Sequence, residues 1–216
     1  MTLFQNNFNL IFVPQGSEYR AVCQVSKIPV VSIPMGYTAS KLFLQQWLKS
    51  CVEFPCHVLL MGLAGSLSPQ YQRGDFVVYQ QCGNVENNQV RWRDCDVLVA
   101  ENVNLVRGWT SDRIICSTPE KQHLYKTYHA EVVDMEGFAV LEVLQPMGIK
   151  VTILRVISDD AQHNLPNLEG TINTNGQLQP IPLAIKMIQQ PSASLGLIQG
   201  SLKGLKVLKH VAREIS

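Results

Sequence analysis

The side chains best suited to chemistry gather near one short run. Arg155 lies inside the apolar stretch Lys150-Val-Thr-Ile-Leu-Arg-Val-Ile-Ser-Asp-Asp-Ala161, which ends on Asp159 and Asp160. An arginine buried without a partner costs several kcal/mol, so Arg155 needs an anion beside it. That anion is either a carboxylate of the protein, forming an internal brace, or part of a ligand. A carboxylic acid at the end of such a run can give a proton to a leaving group if its surroundings keep it neutral. Glu18 follows the first apolar run and is a second candidate. It is either a site carboxylate or a solvated residue favoured by a helix dipole. Gly62-Leu63-Ala64-Gly65 supplies small residues after another apolar run, where exposed N–H groups can hold an anion or a polar oxygen. It matches neither the lysine-bearing phosphate loop nor the full dinucleotide fingerprint.

These residues need elements to position them. The β-branched run from Lys150 follows Met147-Gly148, a helix stop, and reads as a strand buried on both faces. Alternation puts Val151, Ile153, Arg155, Ile157 and Asp159 on one face and turns Asp160 to the other. At ~3.3 Å per residue, Arg155 and Asp159 stand roughly 13 Å apart along it. Leu10–Val13, Val30–Met35, His57–Gly62, Phe76–Tyr79 and Arg113–Ser117 read as further strands. Helices are expected over Tyr19–Val25, from Thr38 or Ser40 to Ser50, over Val103–Trp109, Glu120–Tyr128 and Phe138–Leu144, and in two closing stretches near Pro182–Gln190 and Ser192–Arg213. Ser17 is a candidate cap for the first helix. Gly83–Asp96 reads as a polar excursion, and His163–Gln179, rich in Asn, Pro and Gly, as a mobile loop beside the site. Strand and helix alternate, so the expected architecture is α/β, a single-domain three-layer αβα sandwich over residues 1–216.

Composition narrows the function classes. The chain has 216 residues, 46% of them hydrophobic and 16% charged, with a net charge of +1. No basic cluster points to nucleic acid, and no apolar run approaches the ~20 residues of a membrane span. The amino terminus lacks the features of a signal peptide. None of the six cysteines forms a Cys-x-x-Cys pair, and His57 and His123 are not spaced as zinc ligands. Reduced thiols, no metal and a cytoplasmic location are expected.

Three motifs stand in order: Gly62-Leu-Ala-Gly-Ser-Leu with Gly74-Asp-Phe-Val-Val, then Val133-Asp-Met-Glu136-Gly-Phe-Ala, then Arg155-Val-Ile-Ser-Asp159-Asp-Ala. From Ile11 to about Ala161 the chain resembles the purine nucleoside phosphorylase and methylthioadenosine/adenosylhomocysteine nucleosidase superfamily. Glu18-Tyr-Arg-Ala-Val, Pro34-Met-Gly and Ser117-Thr-Pro-Glu-Lys121 look closest to its hopanoid-associated phosphorylase branch. The resemblance implies a central mixed sheet and cleavage of the N-glycosidic bond of a purine nucleoside, adenine-based. By the same resemblance Asp159 protonates the leaving base. Glu136 accepts the ribose hydroxyls, with Met135 packed on the sugar. Ser117, Thr118 and Pro119 face the base edge. Glu18 activates water with Arg155 orienting it, and Leu63, Ala64 and Gly65 form the nucleophile loop.

Family phosphorylases carry a Ser/Thr hydroxyl where this chain has Leu63, and Glu18 would repel phosphate. The missing hydroxyl weakens phosphate binding but also removes a water-holding contact of the family hydrolases; with the Glu18 charge added, the balance favours hydrolysis over phosphorolysis, which stays the alternative and includes an adenosylhopane-type substrate. No cofactor is expected, apart from phosphate as co-substrate in that alternative. A homo-oligomer, dimer or larger, is implied, with the ribose 5′ pocket formed by the loop after His163 or a neighbouring subunit. A non-catalytic ligand-binding or storage relative is a second alternative, against which Asp159, Glu136 and Arg155 together argue.

Overall fold

The structure is a computed structural model, and it describes residues 8–97 and 103–215. Its elements, in order, are β1 (Leu10–Pro14), α1 (Ser17–Cys23), β2 (Val30–Ile33), α2 (Tyr37–Ser50), β3 (His57–Ser66), β4 (Phe76–Glu86), β5 (Gln89–Asp94), β6 (Leu105–Thr110), α3 (Thr118–Tyr128), β7 (Val132–Asp134), α4 (Gly137–Leu144), β8 (Lys150–Asp159), α5 (Pro180–Gln189) and α6 (Pro191–Ile215). The strands form one mixed eight-stranded sheet in the order β2-β1-β3-β7-β6-β4-β5, with β8 pairing to both β3 and β4. That double pairing closes β3, β7, β6, β4 and β8 into a ring. β8 runs parallel to β3 and antiparallel to β4.

The alternation expected along β8 divides the core. Val151, Ile153 and Ile157 join a cluster with Leu44 of α2 and with Phe138, Val140 and Leu141 of α4. Leu154 and Val156 join a second cluster with Val22 of α1 and with Leu208, Val211 and Ala212 of α6. Helices therefore cover both faces of a mixed α/β sheet, as the sequence leads one to expect. At about 25 cal/mol per Å² of apolar surface, each such side chain contributes roughly 1.5–3 kcal/mol when fully buried.

Several local expectations differ from what is observed. Val103–Trp109 contains the start of strand β6, not a helix. Its residues complete the ring between β4 and β7, and Gly108 lets the Tyr79 ring lie directly against the backbone. Sheet pairing here overrides a helix-like apolar spacing. Arg113–Ser117 is not a strand. Its Cys116 carbonyl accepts the Leu165 N–H instead of joining a ladder, while Ile115 is buried. The polar segment Gly83–Asp96 is mostly hairpin, β4 continuing to Glu86 and returning as β5. Ser17 is the first residue of α1, and Gly16, with a φ of 97°, takes the cap position.

Candidate active site

Arg155 is fully buried, and its charge is met inside the protein. Its Nε donates to Asp134 Oδ2 at 3.0 Å, and its Nη2 lies 2.8 Å from the same oxygen and 3.1 Å from Glu136 Oε2. Burial opposes the guanidinium charge, but Asp134 and Glu136 outweigh it and hold the group protonated above its usual value. Asp134 is fixed in turn, since its Oδ1 accepts from Thr110 Oγ1 at 2.7 Å and from the Gly137 N–H at 3.2 Å. The brace reading of Arg155 is thus the geometry found, and its main partner is Asp134, a residue given no role from sequence. The signal was present, because Asp134 stands two residues before Glu136 at the end of a short strand.

Glu136 caps the start of α4 and is 4% exposed. Its Oε1 accepts the Gly36 N–H at 3.1 Å while Oε2 takes Arg155 Nη2. Burial raises its carboxyl, and Arg155 pulls the other way.

Arg155 Nη1 is buried without a hydrogen-bond partner. It lies beside Gly62, where a Cβ would collide with it and would sit 2.7 Å from Glu18 Oε2. The absent side chain at Gly62 therefore lets Arg155 and Glu18 share one spot. Glu18 Oε2 accepts the Leu63 N–H at 2.7 Å. The residue as a whole is half-buried, but its carboxyl head turns inward to that amide. Burial pushes this carboxyl from 4.5 up to about 8, and the charge of Glu136 adds to the rise. The Leu63 amide and Arg155 offset only part of it.

Asp159 ends β8 opposite Gly65, at a bulge in the β3–β8 pairing. A Cβ at Gly65 would stand 2.8 Å from Asp159 Oδ2, so glycine is what leaves the carboxylate room. Oδ1 accepts from Ser158 Oγ at 3.1 Å. Oδ2 lies 2.5 Å from Nζ of Lys121, a fully buried lysine in the first turn of α3. The neighbour of Asp159 is thus a cation and not Asp160. Asp160 turns away, as alternation requires, to Arg73 at 3.0 Å and His163 at 2.7 Å. Lys121 was missed because Ser117-Thr-Pro-Glu-Lys121 reads as an ordinary helix start, where a lysine is expected in solvent.

Glu18, Glu136, Met135 and Asp159 line a single cavity of about 190 Å³, together with Leu63, Ala64 and Gly65. Leu165, Leu168, Ile172 and Leu178, from the segment read as a polar loop, wall this cavity. That segment is docked by backbone, since Gly176 O accepts from Met35 N at 3.1 Å and from Gln15 Nε2 at 2.6 Å. Its sparse apolar residues point inward, a pattern that average polarity conceals. A wider chamber of about 590 Å³ adjoins it and shares Met35, Arg113 and Met135. Ser117 lines this outer chamber, whereas Thr118 and Pro119 line neither. A few residues earlier in the chain, Ile114 and Ile115 line the inner cavity. Thr118 N–H is taken by Asn164 Oδ1 at 2.8 Å. Among the described residues no cluster of His, Cys, Asp and Glu could hold a metal ion, and no helix is long and apolar enough to cross a membrane.

Comparison with known proteins gives a partial family match and a shared fold. The phosphorylase superfamily model matches residues 88–177, the part that contains Glu136, Arg155 and Asp159. No curated protein matches the sequence. Among solved structures, futalosine hydrolase of Helicobacter pylori superposes with a TM-score of 0.70 at 15% identity over 95% of each chain. The 5′-methylthioadenosine/S-adenosyl homocysteine nucleosidase of the same organism gives 0.66 at 17% identity, covering 96% of this chain and 98% of that one. The Campylobacter jejuni nucleosidase gives 0.61 at 15% identity, over 93% and 98%. The family match over residues 88–177 makes that part of the chain similar to the phosphorylase superfamily, and the solved structures share its fold over nearly the whole length.

Proposed function

We propose that this protein is an enzyme cleaving the N-glycosidic bond of an adenine nucleoside, with water as the nucleophile. The observation that carries this reading is the convergence of Asp159, Glu136 and Glu18 on one small cavity. Glycosyl cleavage needs a proton on the leaving group and stabilisation of an oxocarbenium-like sugar, and two carboxyl groups on opposite sides of the bond can supply both. Asp159 protonates the purine at N7. Glu136, already oriented by Arg155 and Gly36 N–H, accepts the ribose hydroxyls, and Met135 packs on the sugar. Glu18, in its ionised form, takes the proton of the attacking water. A carboxyl pushed to about 8 is poised near the pH at which a general base works best.

Hydrolysis is favoured because Glu18 already occupies the Leu63 N–H, the donor that a phosphate oxygen would seek. Phosphorolysis is the second reading, and Arg155 Nη1, buried and unpartnered, is the observation in its favour. A neutral Glu18 would tolerate phosphate there. The test is product analysis with adenosine, methylthioadenosine and adenosylhomocysteine, each with and without phosphate. Free sugar at a phosphate-independent rate supports hydrolysis. Ribose 1-phosphate and saturation with phosphate overturn it, and no purine released from any substrate overturns the whole reading.

A further inference from the structure

We propose that Lys121 is the proton source for Asp159, a positioning residue that loads the acid without touching the substrate. This rests on the assignment of Asp159 as the group that protonates the base. Lys121 is fully buried, a rare setting for a lysine. Its Nζ holds Asp159 Oδ2 at 2.5 Å and the Asp160 carbonyl at 2.6 Å. A carboxylate in an ion pair has no proton of its own to give, and the proton sits on the nitrogen. The pair thus stores, one bond away, what the reaction needs.

Lys121 is already fully buried, so binding of the base covers the exposed tenth of the Asp159 side chain and removes the last water from the pair. In a drier site the charged pair loses solvation and the neutral pair gains on it. Nζ then gives a proton to Oδ2, and the neutral acid turns and passes that proton to N7. The glycosidic electron pair stays with the purine, which leaves neutral. Glu18 having first released its own proton to solvent, water adds to the anomeric carbon and yields a proton to the Glu18 carboxylate. After the base departs, the neutral amine of Lys121 takes a proton back from water, matching the one that Glu18 released, so the cycle balances.

The experiment compares wild type, Lys121→Met, Lys121→Arg and Asp159→Asn on adenosine and on 4-nitrophenyl riboside. The nitrophenolate leaves as an anion and needs no proton. Thermal melts establish folding, and kcat is read apart from KM. Lys121→Met should lose about 10²–10⁴-fold in kcat on adenosine, as expected for a general acid, with KM little changed and nitrophenyl riboside cleavage within a few-fold of wild type. Lys121→Arg restores the charge but not a releasable proton, so it should fail to restore adenosine cleavage. The proposal is overturned if Lys121→Met keeps adenosine activity, if both substrates fall by the same factor, or if Lys121→Arg is fully active. Should Lys121→Met not fold, Lys121→Arg decides alone by the same criteria. A wild type that cleaves neither substrate removes the enzymatic reading itself, an outcome distinct from any of these.

Discussion

Replacing Glu18 by glutamine should stabilise the protein, and by an amount that grows with pH. The carboxyl holds its proton to about 8 in the folded chain and to 4.5 as the model-compound value, which stands for the unfolded chain. Between those values the folded state binds more protons, so wild-type stability falls as pH rises from 4.5 to about 8 and is level outside that window. At pH 7 the cost is up to about 3 kcal/mol, from about 1.4 kcal/mol per pH unit. Because the residue is half-buried, solvent screening reduces this to about 1–3 kcal/mol. Glutamine never ionises, and its amide oxygen can still accept the Leu63 N–H, so the variant escapes the cost. For a chain of this size each kcal/mol moves Tm by about 2–4 °C. Paired thermal melts at about pH 5 and pH 8 should give nearly equal Tm values at the lower pH. At the higher pH the variant should melt several degrees later. An advantage of equal size at both pH values, or a variant that loses ground as pH rises, would refute the claim that burial keeps this carboxyl neutral.

The remaining expectations concern the site and its brace. Asp159→Asn should fold normally and lose about 10²–10⁴-fold in kcat on an adenine nucleoside, while Asp160→Asn, whose carboxylate faces Arg73 and His163, stays within a few-fold; steady-state kinetics showing the reverse order would exchange their roles. Glu136→Gln should raise KM, lower kcat and abolish most of the preference for a ribonucleoside over its 2′,3′-dideoxy analogue, and a variant that keeps that preference in full excludes Glu136 as the sugar carboxylate. Asp134→Asn should destabilise the fold by about 3–5 kcal/mol, because it leaves a buried arginine short of its main partner; urea denaturation that finds less than about 1 kcal/mol would mean Glu136 suffices for Arg155.

The alternation along β8 was legible because a period of two in a β-branched run has only one structural reading. It fixed which face carries Arg155 and Asp159 and turned Asp160 outward. β6 was not legible, because Leu105-Val-Arg-Gly-Trp-Thr110 is held as a strand by its neighbours. Its register is set by β4 and β7, and by the Tyr79 ring against Gly108. Nothing local distinguishes such a segment from one turn of helix. The ring closure was hidden for the same reason, since β8 pairing with β4 joins residues far apart in sequence.

The site divides along the same line. Residues singled out by type and motif position, Glu18, Glu136, Arg155 and Asp159, could be named from sequence, and the structure brings them together around one cavity and its brace. Residues that act through a partner could not. Asp134 and Lys121 matter because each faces one buried opposite charge, and a sequence records neither burial nor pairing. The two pairs also differ in what they can do. Arg155 cannot release its proton, so its bonds to Asp134 and Glu136 only orient and hold charge. Lys121 bonds its carboxylate at a similar distance but carries a proton that can move. Around one cavity, then, the structure places an arginine behind the proposed sugar carboxylate and a lysine behind the proposed acid. Under the proposed mechanism Glu136 needs a constant charge to receive hydroxyls, and Asp159 needs one that changes during turnover. The proposed mechanism thereby accounts for arginine in one place and lysine in the other.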